Sequence, residues 1–273
     1  MDSLVLKDLV LIGGGHSHVH ILKMFGMQPM TGVRLTLISR DIESPYSGMI
    51  PGFVAGYYAR HECHLDHSKL CAFSRARLVI AEVTALDTTN RLILCNDGRP
   101  PIKYDILSIN IGVIPRPLSE KSSSTDRIIP VKPIDRFAER WETLFHKIEI
   151  GKEESITIAV VGGGAGGLEL AFAVRARLQK LVESRERAVP LRQRVILISK
   201  GSDILASHSL MARNIVRRIL QEKGIELIVN KEIIRSIWNG KQLDLVSSDG
   251  TVAQCDECFW CTQVWHHIYS KNS

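Results

Sequence analysis

Two stretches of this 273-residue chain carry residue types and spacings that could hold a pyrophosphate. In the first, Leu9-Val10-Leu11-Ile12 runs into Gly13-Gly14-Gly15-His16-Ser17-His18; in the second, Thr157-Ile158-Ala159-Val160-Val161 runs into Gly162-Gly163-Gly164-Ala165-Gly166-Gly167. A short apolar run that stops at glycines and passes into a helical pattern is how a strand enters a dinucleotide-binding turn. One glycine permits the positive φ of the bend, and another lets backbone N–H groups approach a pyrophosphate at the helix N-terminus. A third lets helix and strand pack closely. Gly167 fills that place in the second turn, whereas His18 occupies it in the first. A single Gly-Gly-Gly often marks an ordinary loop, but the elements downstream of each copy repeat here as well.

Three further clusters have metal-ligating residue types: His16, His18 and His20; Cys63, His64, His67 and Cys71; and Cys255, Cys258 and Cys261. On a helix His16 and His20 share a face while His18 points elsewhere, and the second cluster is irregularly spaced. The third has repeated two-residue gaps, but it lies on a turn and an apolar run with Phe259 and Trp260 between the thiols and lacks a fourth ligand. Buried cysteines acting as small apolar residues are expected there, with no metal site. No acid–base dyad or catalytic side chain is expected either.

The elements that must position the two turns recur in the same order. After the first turn, Val19, Leu22 and Phe25 trace a helical stripe, and Leu35–Ser39 reads as a second strand. Pro45–Gly52 reads as a proline- and glycine-bounded loop beyond that strand's C-terminal end, where open α/β sheets place ligands. A strand at Leu78–Glu82, a meander through Ala85–Asp87 and Arg91–Cys95, and an aspartate before the apolar Tyr104–Gly112 come next. In the second half, Leu168, Ala171, Val174, Leu178 and Leu181 mark a helix face, Val195–Ser199 a second strand and Ser209–Lys223 a helix. Ile225–Val229 and a meander through Ile233–Trp238, Gln242–Ser247 and Val252–Cys255 then lead to Asp256 and the apolar segment ending at Gln263. The offset of about 150 residues points to an internal duplication of a nucleotide-binding unit. Between the halves, Pro115–Asp126 has linker composition, and Pro133 opens a helix with Ile134, Phe137, Trp141, Leu144 and Ile148 as its stripe.

The fold class expected is α/β, with two Rossmann-like dinucleotide-binding domains, each carrying a small antiparallel meander. Their bounds are residues 1–115 and 156–263, joined by a linker and connecting helix at 116–155 and succeeded by an unrelated tail at 264–273. Charged residues make up 23% of the chain, and the net charge of +6 is scattered among 35 basic and 29 acidic positions rather than gathered into runs. That pattern reads as solvated surface, and without a recognition motif it gives no case for nucleic-acid binding. No apolar run approaches the roughly 20 residues needed to cross a bilayer. The N-terminal residues have no signal or transit pattern, so a cytoplasmic location with reduced thiols is expected.

These residues resemble the two-domain flavoproteins of the pyridine nucleotide-disulfide oxidoreductase superfamily over residues 8 to 263. Within it, Leu35–Arg40 followed by the Pro45–Pro51 loop is similar to type II NADH dehydrogenases. Gly-Gly-Gly-His-Ser-His, Pro-Tyr-Ser-Gly-Met and Tyr104–Gly112 are similar to the oxidoreductase module joined to selenide, water dikinase. The resemblance implies FAD on the first turn, through Gly13, Gly14, Gly15 and His16, with Gly13 and Gly15 at the pyrophosphate. It places Ser39 and Arg40 near the ribose, the Val83 backbone near adenine, and Gly112 where the chain leaves the flavin domain. It implies NAD(P)H on the second turn, with Gly162, Gly164 and Gly167 at the pyrophosphate, Glu169 toward the nicotinamide, and Ser199 and Lys200 closing the second strand. A cation at Lys200, where an acid would select NAD, favours acceptance of NADPH. Electrons would pass to a small-molecule or protein acceptor, with a link to selenium metabolism by resemblance alone. The family's returning C-terminal segment, with a Gly-Asp pair at the flavin, has no match after Gln263. The expectation is therefore a truncated chain that holds nicotinamide nucleotide better than flavin. The alternative of a different class is a non-catalytic nucleotide-binding or interaction module.

Overall fold

The computed structural model describes residues 4–112, 114–115, 127–184, 189–262 and 264–265. The linker at 115–126, apart from Pro115, and Gln263 lie outside the described residues. The helices are α1 (His16–Met27), α2 (Ile50–Val54), α3 (His67–Ser74), α4 (Ile134–Ile150), α5 (Ala165–Ser184) and α6 (Leu210–Glu222). Contacts divide the described chain into two units, one of residues 4–46 and 63–112, the other of 47–62 with 114–265.

The first unit is built on a parallel four-stranded sheet in the order Arg77–Ile80, Val33–Ser39, Lys7–Ile12, Ile106–Ile109. Side chains alternate across it as the strand period of two requires. Val10, Ile12 and Ile38 face an antiparallel meander of Val83–Asp87, Leu92–Cys95 and Ile102–Lys103, burying Val79, Val83 and Ile93 with them. Leu11, Leu35 and Leu37 face the other way, where Leu22 of α1 and Cys71 of α3 cover them.

The second unit repeats this plan with a five-stranded parallel sheet: Ile128–Pro130, Glu257–Trp260, Ser155–Val161, Arg192–Ile198, Ile225–Ile228. Its meander of Arg235–Trp238, Leu243–Ser247 and Gly250–Cys255 packs Leu243, Leu245 and Cys255 onto Ala159, Val161, Ile196 and Ile198. All five residues of the expected α5 stripe are buried. On α4 the buried stripe is Phe137, Trp141, Phe145 and Ile148, so Phe145 joins it, while Leu144 is half-buried. Val264–Trp265, at the start of the expected tail, pairs antiparallel with Ile114–Pro115.

One expectation is corrected. The stretch Pro45–Gly52 is not a plain loop: it runs through a 3₁₀ turn at Ser47–Met49 into α2, with Ile50, Phe53 and Val54 buried. Pro51 stands in the first turn of α2, where its missing N–H costs no helical hydrogen bond.

Candidate functional site

Each glycine turn lies at the C-terminal end of its central strand and is held by the same backbone bonds. Gly13 N–H donates to Ile38 O at 2.8 Å, and Gly162 N–H donates to Ile198 O at 2.8 Å. Asn110 N–H donates to Ile12 O, and Cys261 N–H to Val161 O, both at 2.8 Å. Both turns open on a positive φ, +91° at Gly13 and +136° at Gly162, which a side chain would strain. A Cβ on Gly13 would fall 2.3 Å from Asn110 O, and one on Gly162 2.5 Å from Cys261 O.

The aspartates that precede the last strand of each half also play one role. Asp105 Oδ2 accepts from Asp8 N–H, and Asp256 Oδ2 accepts from Thr157 N–H, each at 2.7 Å. The backbone N–H of each aspartate returns the bond, to Asp8 O at 2.9 Å and Thr157 O at 2.8 Å. These bonds lie at the sheet end opposite the glycines. They fix the register that brings Asn110 and Cys261 beneath the turns. The bond from Asp8 N–H holds the Asp105 carboxyl below the usual carboxylate range.

The halves differ at the third glycine position. A Cβ on Gly167 would lie 2.0 Å from Gly162 O, so α5 approaches its strand as closely as only glycine allows. In the first turn His18, 1% exposed, sets Nδ1 2.7 Å from Gly13 O and Nε2 2.9 Å from Ser108 Oγ. A carbonyl only accepts, so Nδ1 carries the proton and Nε2 accepts from the Ser108 hydroxyl. Burial lowers the His18 pKa and favours this neutral ring.

Of the other predicted residues, Gly14 backs onto the buried His67, whose Cε1 would lie 2.0 Å from an added Cβ. His67 in turn sits 3.0 Å from Ser44 Oγ and 3.1 Å from Asp41 O. His16 is exposed at the head of α1, edge-on to Tyr46 with ring centroids 5.5 Å apart. Ser39 is buried and accepts Ala81 N–H at its carbonyl, while Arg40 is exposed against Asp41 at 3.2 Å. Val83 is buried at the start of the meander, and Gly112 is exposed. Glu169 projects exposed from α5, Ser199 is buried with Oγ donating to Asp203 O at 3.2 Å, and Lys200 beside it is exposed. Strand pairing therefore brings Gly13, Ser39 and Asn110 to one sheet edge and Gly162, Ser199 and Cys261 to the other.

Both turns offer what a pyrophosphate needs. No side chain caps α1, and neither α1 nor α5 has an acidic residue in its first turn, so the positive helix ends are not neutralised. A Cβ on Gly164 or Gly166 would meet nothing within 4 Å, which leaves room over the second turn. Thr262 Oγ1, directly after Cys261, is buried without a hydrogen-bond partner among the described residues. Asn110, whose amide lies 2.3 Å from a Cβ built on Gly15, and Thr262 escape motif reading. Aligning the two halves on Asp105 and Asp256 would pair Asn110 with Cys261, the residue before Thr262.

Of the three clustered cysteines only Cys261 lies against a glycine turn. Cys255 and Cys258 are fully buried in the sheet–meander core, and burial pushes the Cys255 thiol up to about 12. Among the described residues no three His, Cys, Asp or Glu side chains are placed to hold a metal ion.

Residues 7–264 match the pyridine nucleotide-disulphide oxidoreductase family. The chain belongs to that family. Among curated relatives, this family member is 26% identical over 255 residues to the NADH dehydrogenase-like protein YutJ of Bacillus subtilis, covering 90% of this chain and 64% of that one. It is 30% identical over 148 residues to the demethylphylloquinone reductase NdbB of Synechocystis, covering 53% of this chain and 33% of the relative. The chain thus spans under two thirds of either relative's length. Among solved structures, a ferredoxin reductase from Rhodopseudomonas palustris shares the fold with a TM-score of 0.74 at 18% identity, over 94% of this chain and 59% of that one. No helix of the described residues is long and apolar enough to cross a membrane.

Proposed function

We propose that the chain is an FAD-dependent NAD(P)H oxidoreductase, with FAD on the turn of residues 13–16 and NAD(P)H on the turn of residues 162–167. The observation that carries this reading is the duplicated turn, with matched carbonyl acceptors at Ile38 and Ile198 and the same aspartate clamp. The names of the relatives support the same class, a dehydrogenase and a quinone reductase. When bound, the two cofactors supply hydride transfer and onward electron delivery, chemistry that needs no acid–base dyad from the protein.

The chain's own residues bind and orient. Gly13 and Gly15 keep side chains away from the first pyrophosphate, and Ser39, Arg40 and the Val83 backbone flank the nucleoside end. On the second turn Gly162 makes the positive-φ bend, Gly164 leaves the space over it open and Gly167 lets α5 close on the turn, with Glu169 toward the nicotinamide and Lys200 at the adenosine ribose. The acceptor is a small molecule or a protein. A quinone fits the NdbB likeness, and a selenium or sulfur species fits the resemblance to the module joined to selenide, water dikinase.

The test is to purify the chain with FAD supplied, then measure the flavin-to-protein ratio and NADPH oxidation with a dye acceptor. Bound flavin and dye reduction support the oxidoreductase. Nicotinamide nucleotide binding with neither flavin nor dye reduction would replace it with the non-catalytic reading.

A further inference from the structure

Within the second unit, away from its glycine turn, an open cleft of about 430 Å³ lies between residues 53–60, α4 and α5. Its floor is aromatic: Phe53, Trp141 and Phe145 are all under 9% exposed, while Tyr57 and Tyr58 stand exposed beside it. The lining is mixed, with Arg60, Glu142, His146, Glu149 and Arg177 around the aromatic floor, and a volume of a few hundred Å³ has room for a small molecule of one or two rings.

The charges around the cleft differ in kind. Arg60 is held by Glu139 at 2.8 Å and Glu142 at 3.7 Å, and Glu149 lies 3.7 Å from His146. These carboxylates are well exposed on the rim and solvated, with side chains 41% to 60% accessible. Arg177 of α5 is different. It is half-buried, its guanidinium carbon lies over the Phe145 ring at 4.1 Å from the centroid, and among the described residues it has no hydrogen-bond or ion-pair partner. A guanidinium carries five N–H donors, and those of Arg177 border an open cleft where an entering acceptor can take them.

The surroundings are shaped to hold this arginine. A Cβ on Gly56 would fall 1.8 Å from Arg177 Nη1, and Gly56 has a φ of +77°, so both space and backbone demand glycine. Gly52 similarly makes room for the Tyr58 ring, 2.5 Å from where its Cβ would be. The unpaired fork and the aromatic floor together match a planar ring bearing an oxyanion.

We propose that this cleft binds a small aromatic carboxylate, its ring on the Phe53–Trp141–Phe145 floor and its carboxylate on Arg177. The assignment is independent of the flavin and nicotinamide reading, because it shares no residue with either glycine turn.

The experiment is isothermal titration of the whole chain with 1-naphthoate and, separately, with 1-naphthylmethylammonium, on wild type and Arg177→Gln. Naphthoate should bind wild type, and its affinity should fall about tenfold or more in Arg177→Gln, as expected on losing a charge-assisted fork. The ammonium probe should bind at least about tenfold more weakly than naphthoate to wild type, since its ring gains the same floor but its charge meets Arg177. Should Arg177→Gln melt early, Arg177→Lys keeps the charge without the fork and should still lose affinity about threefold or more. Absence of naphthoate binding to folded wild type, equal affinity in the folded variant, or equal affinity for the two probes would each overturn the proposal.

Discussion

His18 Nδ1 lies 2.7 Å from the carbonyl oxygen of Gly13, so a side chain in the first turn meets the carbonyl that bare Gly167 approaches in the second, that of Gly162. The two halves reach the same turn by different packing. In one, the imidazole bridges α1 to Ser108; in the other, the helix itself moves in.

Truncating His18→Ala is expected to cost about 2 kcal/mol, from the buried ring's lost contacts and the unpaired Ser108 hydroxyl. The pH dependence comes from the lowered pKa. An unfolded imidazole titrates near 6.5, and the native state favours the neutral ring, so His18 supports stability above that pH and loses this support as pH falls below it. Melting curves of wild type and His18→Gln should therefore converge on moving from pH 7.5 to 5.5. A constant gap between them would refute the lowered pKa.

The second turn separates packing from binding. Gly164→Ala should leave stability within about 0.5 kcal/mol of wild type while weakening NADPH binding at least about tenfold, because its Cβ meets only open space where the ligand is proposed to lie. Gly167→Ala should instead destabilise by about 2 kcal/mol or more, since α5 must retreat from Gly162 O. Urea denaturation and nucleotide titration of both variants check this, and wild-type affinity in Gly164→Ala would remove that glycine from the site.

Glu257 supplies a prediction of opposite sign to that of His18. Burial pushes its carboxyl up to about 7, against the pull of Arg127, Arg140 and Lys147. The folded pKa is above the unfolded value of 4.5, so ionisation opposes folding, with a penalty that begins above pH 4.5 and is complete above pH 7. Glu257→Gln keeps the shape and should raise stability at pH 8 by about 1–3 kcal/mol, while changing little at pH 4.5. Denaturant midpoints at the two pH values decide it, and a variant less stable than wild type at pH 8 would mean that the 3.3 Å pair with Arg127 outweighs burial.

Lys200 ends the second strand of its half exposed and next to the buried Ser199. NADPH should accordingly bind at least as tightly as NADH, and Lys200→Ala should weaken NADPH about threefold to tenfold with little effect on NADH. Tryptophan quenching with each nucleotide measures both, and an NADH preference that survives the substitution would contradict the assignment.

Features with a period or a repeat are the ones legible in the chain. The α5 stripe can be read because helical spacing alone selects Leu168, Ala171, Val174, Leu178 and Leu181, and the meanders because turn residues punctuate alternating strands. The duplication also carries the two aspartates, though not their bonds to Asp8 and Thr157. The role of His18 is hidden because its partner Ser108 lies 90 positions away, and spacing says nothing about such a contact. The Pro45–Gly52 stretch misleads for a related reason. Proline and glycine signal a loop locally, while the burial of Ile50, Phe53 and Val54 in α2 is decided by packing with α4 and α5 far along the chain.

That last segment constrains how the chain can be recombined. Ser47–Glu62 belongs with the second unit although residues 4–46 and 63–112 on either side of it belong with the first. A fragment ending at residue 112 would carry Ile50, Phe53 and Val54 without α4 and α5, the helices they are built to meet. In a library shuffled among homologues, residues 47–62 should therefore tolerate exchange only when inherited together with α4 and α5, and a crossover at mid-chain should yield insoluble progeny even where both parents fold.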